Sequence, residues 1–254
     1  MEEFVVGALP HLLCGIIIGF LIFYSGVGGG VLVIPVIVAF FGLPLSVAIG
    51  TASVYATLTK VMAGIEHIRI RNVSGRLAVI ISLSAIPGVL ITAAAVNYYS
   101  NVAESAPRMQ EILRYVVAMV IAFSLLAAQF KPKSAAVSSL PLLIAAGFFI
   151  GLVMGATGIG GGVLIVPALF LLSAESPKRV VGSSVIIALA LSLVTALVYA
   201  KGGQINYPMA LTMSAGSLLA IPFASRMLRR SSDKTVRIML TVLIVIALLL
   251  VLWK

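Results

Sequence analysis

Polar residues are sparse along this chain. They separate apolar stretches at roughly residues 4–24, 30–42, 44–65, 76–97, 112–130, 140–157, 162–173, 180–200, 208–225 and 238–253. Most of these reach the length of about 20 residues that a bilayer-crossing helix needs. Segments 30–42 and 162–173 do not. As helix, each would cover only about 20 Å, at about 1.5 Å per residue. Both follow a glycine cluster and carry a proline, Pro35 and Pro167. Regular helix is expected to break at these two places.

The pattern occurs twice, at an offset of 132 residues. Gly15 and Gly19 map to Gly147 and Gly151, and Gly26, Gly28, Gly29 and Gly30 map to Gly158, Gly160, Gly161 and Gly162. Pro35 maps to Pro167, Gly50 to Gly182 and Thr51 to Ser183. The string SGVGGGVLVIP at 25–35 reads again as TGIGGGVLIVP at 157–167. Glycine is frequent in membrane helices, but frequency alone does not produce a fixed offset. Residues 1–130 are therefore the first transmembrane repeat, 131–139 a cytoplasmic linker and 140–254 the second repeat.

Composition places the chain in lipid. It is 61% hydrophobic and 9% charged, against about 25% charged in soluble domains, so a soluble globular enzyme is excluded. The acidic start, Met1-Glu2-Glu3, does not fit a cleaved leader, and the first run reads as a mature membrane segment. Five segments per half is an odd number, so the second half enters from the opposite side. The charges agree. With the N-terminus on side A, side B carries twelve basic residues (Arg69, Arg71, Arg76, Lys131, Lys133, Lys178, Arg179, Arg226, Arg229, Arg230, Lys234, Arg237). Side A carries four, namely Arg108, Arg114, Lys201 and Lys254. Side B is then cytoplasmic. Equivalent loops, 66–76 with 201–207 and 97–111 with 226–237, swap their charge bias, as inverted-topology repeats do. The expected fold is all-α, a polytopic membrane bundle of two inverted five-segment repeats with glycine-broken short helices. It lies in the cytoplasmic membrane with both termini outside. The net charge of +10 is accounted for by topology, so no nucleic-acid partner is expected. Whether segments 4–42 and 140–173 are hairpins or full crossings stays open.

The chemistry centres on the glycine clusters. Irregular backbone at membrane depth survives only inside protein or around a cavity. Helices that begin at such a break aim free N–H groups and the positive dipole end at it. Two breaks brought face to face would make an anion site without a cationic side chain. The candidate substrate-binding residues are Ser25, Gly26, Gly28, Gly29, Gly30, Thr51, Ser53, Thr157, Gly158, Gly160, Gly161, Gly162, Ser183 and Ser184. Tyr24 and Lys60 are further candidates: Tyr24 either lines the cavity or packs, and Lys60 either snorkels or serves the substrate. The alternative is that glycines permit close packing and hydroxyls bond their own helix carbonyls. Packing is the preferred reading for Gly15, Gly19, Gly147, Gly151 and Gly155, at four-residue spacing. Glu66, His67 and Asn72 are placed in a cytoplasmic loop. Tyr98, Tyr99, Tyr115 and Trp253 fit an outer aromatic belt.

Carboxylates fall in loops or at segment ends, so no buried proton relay is visible, and no catalytic set, metal cluster or ATP-binding loop is present. The single Cys14 excludes an internal disulfide. No enzyme activity and no cofactor are expected.

The glycine-rich strings carry a resemblance. GFLIFYSGVGGGVLVIPVIVAFFGLPLSVAIGTAS (19–53) and GLVMGATGIGGGVLIVPALFLLSAESPKRVVGSS (151–184) resemble the sulfite exporter TauE/SafE family, also called the 4-toluene sulfonate uptake permease family. The resemblance covers nearly the whole chain. It implies a secondary transporter of sulfur-containing anions such as sulfite or sulfonates, without fixing cargo, direction or coupling ion. The partners expected are the small anion, the lipid bilayer and a co-transported proton or cation; oligomeric state is left open. A passive anion channel and a non-transporting membrane scaffold are the competing functions.

Overall fold

The computed structural model describes residues 2–25, 29–69, 71–129, 139–230 and 233–253. Within them the chain is all-helical. The order is α1 (Glu2–Ser25), α2 (Gly29–Phe41), α3 (Leu45–Arg69), α4 (Gly75–Asn101), α5 (Ala106–Gln129), α6 (Leu140–Thr157), a π-helical turn (Gly161–Ile165) running into α7 (Val166–Leu172), α8 (Pro177–Lys201), α9 (Tyr207–Arg230) and α10 (Asp233–Trp253). The two short segments appear as expected, α2 at 13 residues and α7 at 7. Among the described residues five helical spans are long and apolar enough to cross a membrane: Leu45–Arg69, Gly75–Asn101, Leu140–Thr157, Lys178–Lys201 and Tyr207–Ala224.

Helices extend beyond their apolar stretches. Glu66 and His67 belong to the last turns of α3, which runs to Arg69, and α4 begins at Gly75, so helix enters the expected 66–76 loop from both sides. Likewise α4 runs to Asn101 and α5 starts at Ala106. Polar residues end the apolar pattern without ending the backbone hydrogen bonding, so hydropathy trims each helix by a turn. Of the linker at 131–139, only Ser139 is described, as the cap preceding α6.

Glycines set the tightest packing. α1 packs on α9 and α4 on α6. A Cβ on Gly15 would strike the backbone of Met213, and one on Gly19 would strike Ser217. A Cβ on Gly147 would strike Ser84 and approach the carbonyl of Ile81, and one on Gly151 would strike Ala85. Positions 213 and 217 are 132 residues beyond 81 and 85, so each contact recurs with the halves exchanged. The packing reading of these glycines, and of Gly155 against Val89 and Thr92, is what the structure has.

The centre is α3 against α8. A Cβ on Gly50, near the start of α3, would meet the Gln204 carbonyl just past the end of α8; one on Gly182, near the start of α8, would meet the Asn72 carbonyl just past α3. The two helices are therefore antiparallel. Their C-termini close alike. Arg71 N–H bonds the Ile68 carbonyl at 3.0 Å and Asn72 N–H the His67 carbonyl at 3.0 Å; Gly203 N–H bonds Ala200 at 3.1 Å and Gln204 N–H bonds Tyr199 at 3.0 Å. Arg71 (φ 55°) and Gly203 (φ 69°) both take the left-handed conformation that such a cap requires.

Candidate glycine-break site

The second break starts where α6 ends. Gly158 caps α6 at φ 66°, donating its N–H to the Met154 carbonyl at 2.7 Å. The fully buried Thr157 donates its hydroxyl to the Val153 carbonyl at 2.7 Å and accepts from the Ile159 amide at 3.2 Å. After Gly160 the π-turn begins. Its first bonds run from the Leu164 and Ile165 amides to the Gly160 carbonyl, at 3.2 and 3.1 Å. The amides of Gly161, Gly162 and Val163 precede those bonds and have no acceptor within the helix.

In the first half, Gly26 and Gly28 and the side chains of Tyr24 and Ser25 lie outside the described residues. Gly29 and Gly30 are buried and open α2. A Cβ on Gly30 would lie 2.5 Å from the Gly158 carbonyl oxygen and 3.2 Å from the Ile159 Cα. The start of α2 therefore touches the second break. Around them stand Ile49 of α3 and Ile34 of α2, 3.1 and 3.3 Å from a Cβ on Gly158. Gly29 faces the Tyr55 ring at 3.6 Å. Tyr55 is 2% exposed and donates its hydroxyl to Ser217 Oγ at 2.9 Å, so it packs between α2 and α9.

The predicted hydroxyls divide by role. Ser53 donates to the Ile49 carbonyl at 2.8 Å and Ser184 to the Val181 carbonyl at 2.7 Å, each within its own helix. Thr51 Oγ1 accepts from the Asn206 amide at 3.0 Å and Ser183 Oγ from the Ser74 amide at 2.8 Å. These two bonds are the same bond with the halves exchanged, and they tie α3 and α8 to the turn before the opposite half's helix. Lys60 is half-buried on α3. Among the described residues no group of three or more His, Cys, Asp or Glu is placed to hold a metal ion.

Sequence reasoning passed over a set of amides. Gln110 on α5 accepts through Oε1 from the Leu45 and Ser46 amides at 2.8 and 3.3 Å, and donates to Ser46 Oγ at 2.9 Å. Ser46 donates to Gln204 Oε1 at 2.7 Å, and Gln204 Nε2 to Asn101 Oδ1 at 2.9 Å. Glutamines and asparagines flanking apolar segments were the available signal.

The profile of the family described as "Sulfite exporter TauE/SafE" matches residues 11–251. The chain belongs to the sulfite exporter TauE/SafE family. Similar proteins include the probable membrane transporter protein YjnA of Bacillus subtilis (strain 168), 24% identical, with 93% of this chain and 96% of that one covered. The probable membrane transporter protein YunE of the same organism is 26% identical, covering 91% and 92%. The probable membrane transporter protein MJ0441 of Methanocaldococcus jannaschii is 26% identical, covering 92% and 91%. No solved structure matches. Family and helices together make this TauE/SafE chain a multi-pass membrane transporter.

Proposed function

We propose that this TauE/SafE protein is a secondary transporter of small sulfur-containing anions, such as sulfite, sulfonates or related organosulfur anions, working by alternating access in the cytoplasmic membrane. The observation that carries the reading is the contact of Gly30 with Gly158. It joins two amide-bearing helix starts, Gly29–Gly30 and Gly160–Gly162, where an anion is favoured by free N–H groups and by helix dipoles. Ser25, Gly26 and Gly28 complete the first cluster in sequence, with Tyr24 beside it. Thr51, Ser53 and Thr157 fix backbone on the Gly158 side, Ser183 and Ser184 do so at the start of α8, and Lys60 is the cation that lies well inside an apolar stretch. The anion is held by backbone amides rather than by these hydroxyls.

The halves 1–130 and 140–254, joined by a cytoplasmic linker at 131–139, act as inverted-topology repeats that rock about this contact. The exchanged bonds Thr51–Asn206 and Ser183–Ser74 and the antiparallel α3–α8 pair support that relation. The bias of basic residues puts both termini outside. Coupling runs through a proton carried on the substrate or through a co-transported cation.

Counterflow decides the reading. Proteoliposomes loaded with unlabelled sulfite or a sulfonate should accumulate the labelled anion transiently. Passive flux without counterflow would replace the carrier with a channel. No movement of any sulfur oxyanion would remove the substrate class.

A further inference from the structure

Lys60 lies on the interior face of α3, close to the centre of the molecule. It follows Ala56, Ser53 and Ile49 by 4, 7 and 11 residues, spacings that return to one face of a helix. Those three side chains are buried, and so is Gly64, the next residue on that face. The outward face of α3 differs: Leu58, Val61, Met62, Ile65 and Ile68 are exposed there, as lipid-facing residues would be. Lys60 is half-buried although its face is turned from lipid, so space inside the bundle accounts for its exposure. Its height follows from one bond. Thr57 of α3 donates to Ser192 Oγ of α8 at 3.2 Å, and Ser192 is the residue 132 positions beyond Lys60. α3 and α8 are antiparallel and exchange roles, so the centre of exchange falls midway between positions 57 and 60. That is about 2 Å along the helix from Lys60. In an inverted-repeat carrier this centre is the bilayer midplane.

Resting on the transporter reading above, we infer that the Lys60 ammonium is the counter-charge of the transported anion, and that it makes the glycine-break site select an anion over a neutral molecule of the same shape. A charge at the midplane is costly unless it is paired or hydrated. The interface lies about 15 Å away, beyond the reach of a lysine, so the side chain does not snorkel. The one ion pair among the described residues joins Arg179 to Glu175, and no carboxylate among them offsets Lys60. Helical side chains lean toward the helix N-terminus. Lys60 therefore leans from the midplane toward the Ile49 end of α3, past the small Ala56. Ile49, on the same face, meets Gly158, and the π-turn that follows Gly160 packs on α8, the helix bonded to Thr57. The ammonium and the unbonded amides of Gly161, Gly162 and Val163 thus serve one space. The amides supply geometry and the lysine supplies net charge. The counterpart Ser192 is buried and bonds the Leu189 carbonyl of its own helix at 3.1 Å, so the first half alone carries the charge.

The test uses full-length protein in proteoliposomes and labelled methanesulfonate, or labelled sulfite if the wild type moves only that. Unlabelled methanesulfonate should compete for counterflow, and methanesulfonamide, a neutral molecule of nearly the same shape, should not. Lys60→Gln should raise KM for the anion on the order of tenfold or more, the scale of one charge-assisted hydrogen bond, and Lys60→Arg should recover part of that loss. Removing an unpaired buried charge should leave the unliganded protein as stable as the wild type or more so. In a Cys14→Ser background, Lys60→Cys should react with a charged, membrane-impermeant methanethiosulfonate reagent, and the transported anion should slow that reaction. An unchanged KM in Lys60→Gln, equal competition by the two sulfonyl compounds, or a thiol at 60 that the reagent does not reach or the anion does not protect overturns the role of Lys60. A lower unliganded unfolding temperature in Lys60→Gln overturns it too, since the lysine would then be structural. No counterflow of either anion in the wild type overturns the transporter reading, and this inference with it.

Discussion

Gly29 and Gly30 are neighbours with different tolerances. A methyl group at Gly29 would meet the Tyr55 ring at 3.6 Å, an ordinary contact, whereas at Gly30 it would sit 2.5 Å from the Gly158 carbonyl. Backbone cannot swing aside as a side chain can. Gly30→Ala should therefore push the two breaks apart, at a cost of about 1–3 kcal/mol, and abolish anion flux, while Gly29→Ala keeps wild-type thermal stability. Unfolding in detergent together with flux in proteoliposomes reads both; equal behaviour of the two variants would mean that the contact is not what matters. A second residue pair isolates backbone strain. Arg71 and Gly203 hold the same left-handed position, where a Cβ costs about 1 kcal/mol or more. Nothing crowds Gly203 within 4 Å, so Gly203→Ala should lower stability by about 1 kcal/mol through conformation alone, and Arg71→Gly should raise it by a similar amount. Thermal denaturation that moves both in one direction would contradict the cap geometry.

At the scale of elements, the N-terminus of α3 depends on another helix. Its first amides, from Leu45 and Ser46, are satisfied by Gln110 of α5. Removing that acceptor strands two partly buried donors. Gln110→Leu should cost about 1–3 kcal/mol. Gln110→Glu keeps the acceptor and adds a negative charge at a helix start, so it should cost less; denaturant titration ranks the pair. The position 132 residues on is Val242, which makes this cap a property of one half. The contrast explains what was legible in the sequence. Apolar runs located the helices, and the doubled GxGGG string marked the start of α2 and the end of α6, which touch through Gly30 and Gly158, because hydropathy and glycine placement report on local backbone. The 66–76 loop was misplaced because polar residues at a membrane boundary can remain helical. The roles of Ser53 and Ser184 were split between two readings, since a hydroxyl's partner depends on its rotamer and on the neighbouring turn. Gln110, Gln204 and Asn97 went unnoticed because their partners lie 64, 158 and 101 residues away in the bonds they make, and no local pattern encodes such a pairing.

The molecule as a whole is organised by exchange. α3 and α8 are antiparallel, each tied by a hydroxyl to the turn that ends the other. The turns at 71–74 and 202–206 thus lie at opposite ends of the bundle. If the bundle spans the bilayer along these helices, equivalent turns face opposite compartments, and the excess of basic residues on one set of loops predicts that the 71–74 turn faces the cytoplasm. Labelling tests this directly. Replacing Cys14 by Ser removes the one native thiol, and Arg71 and Gly203 are both exposed. In that background Gly203→Cys should react with a membrane-impermeant maleimide added to intact cells, and Arg71→Cys only after permeabilisation. The left-handed conformation at 203 disfavours a side chain, so labelling is read on folded, monodisperse protein, with Lys201→Cys as a second outward probe. Labelling of all three from one side would sink the inverted-topology arrangement and the rocking motion built on it. Reversed labelling would keep the arrangement and turn the protein over in the membrane.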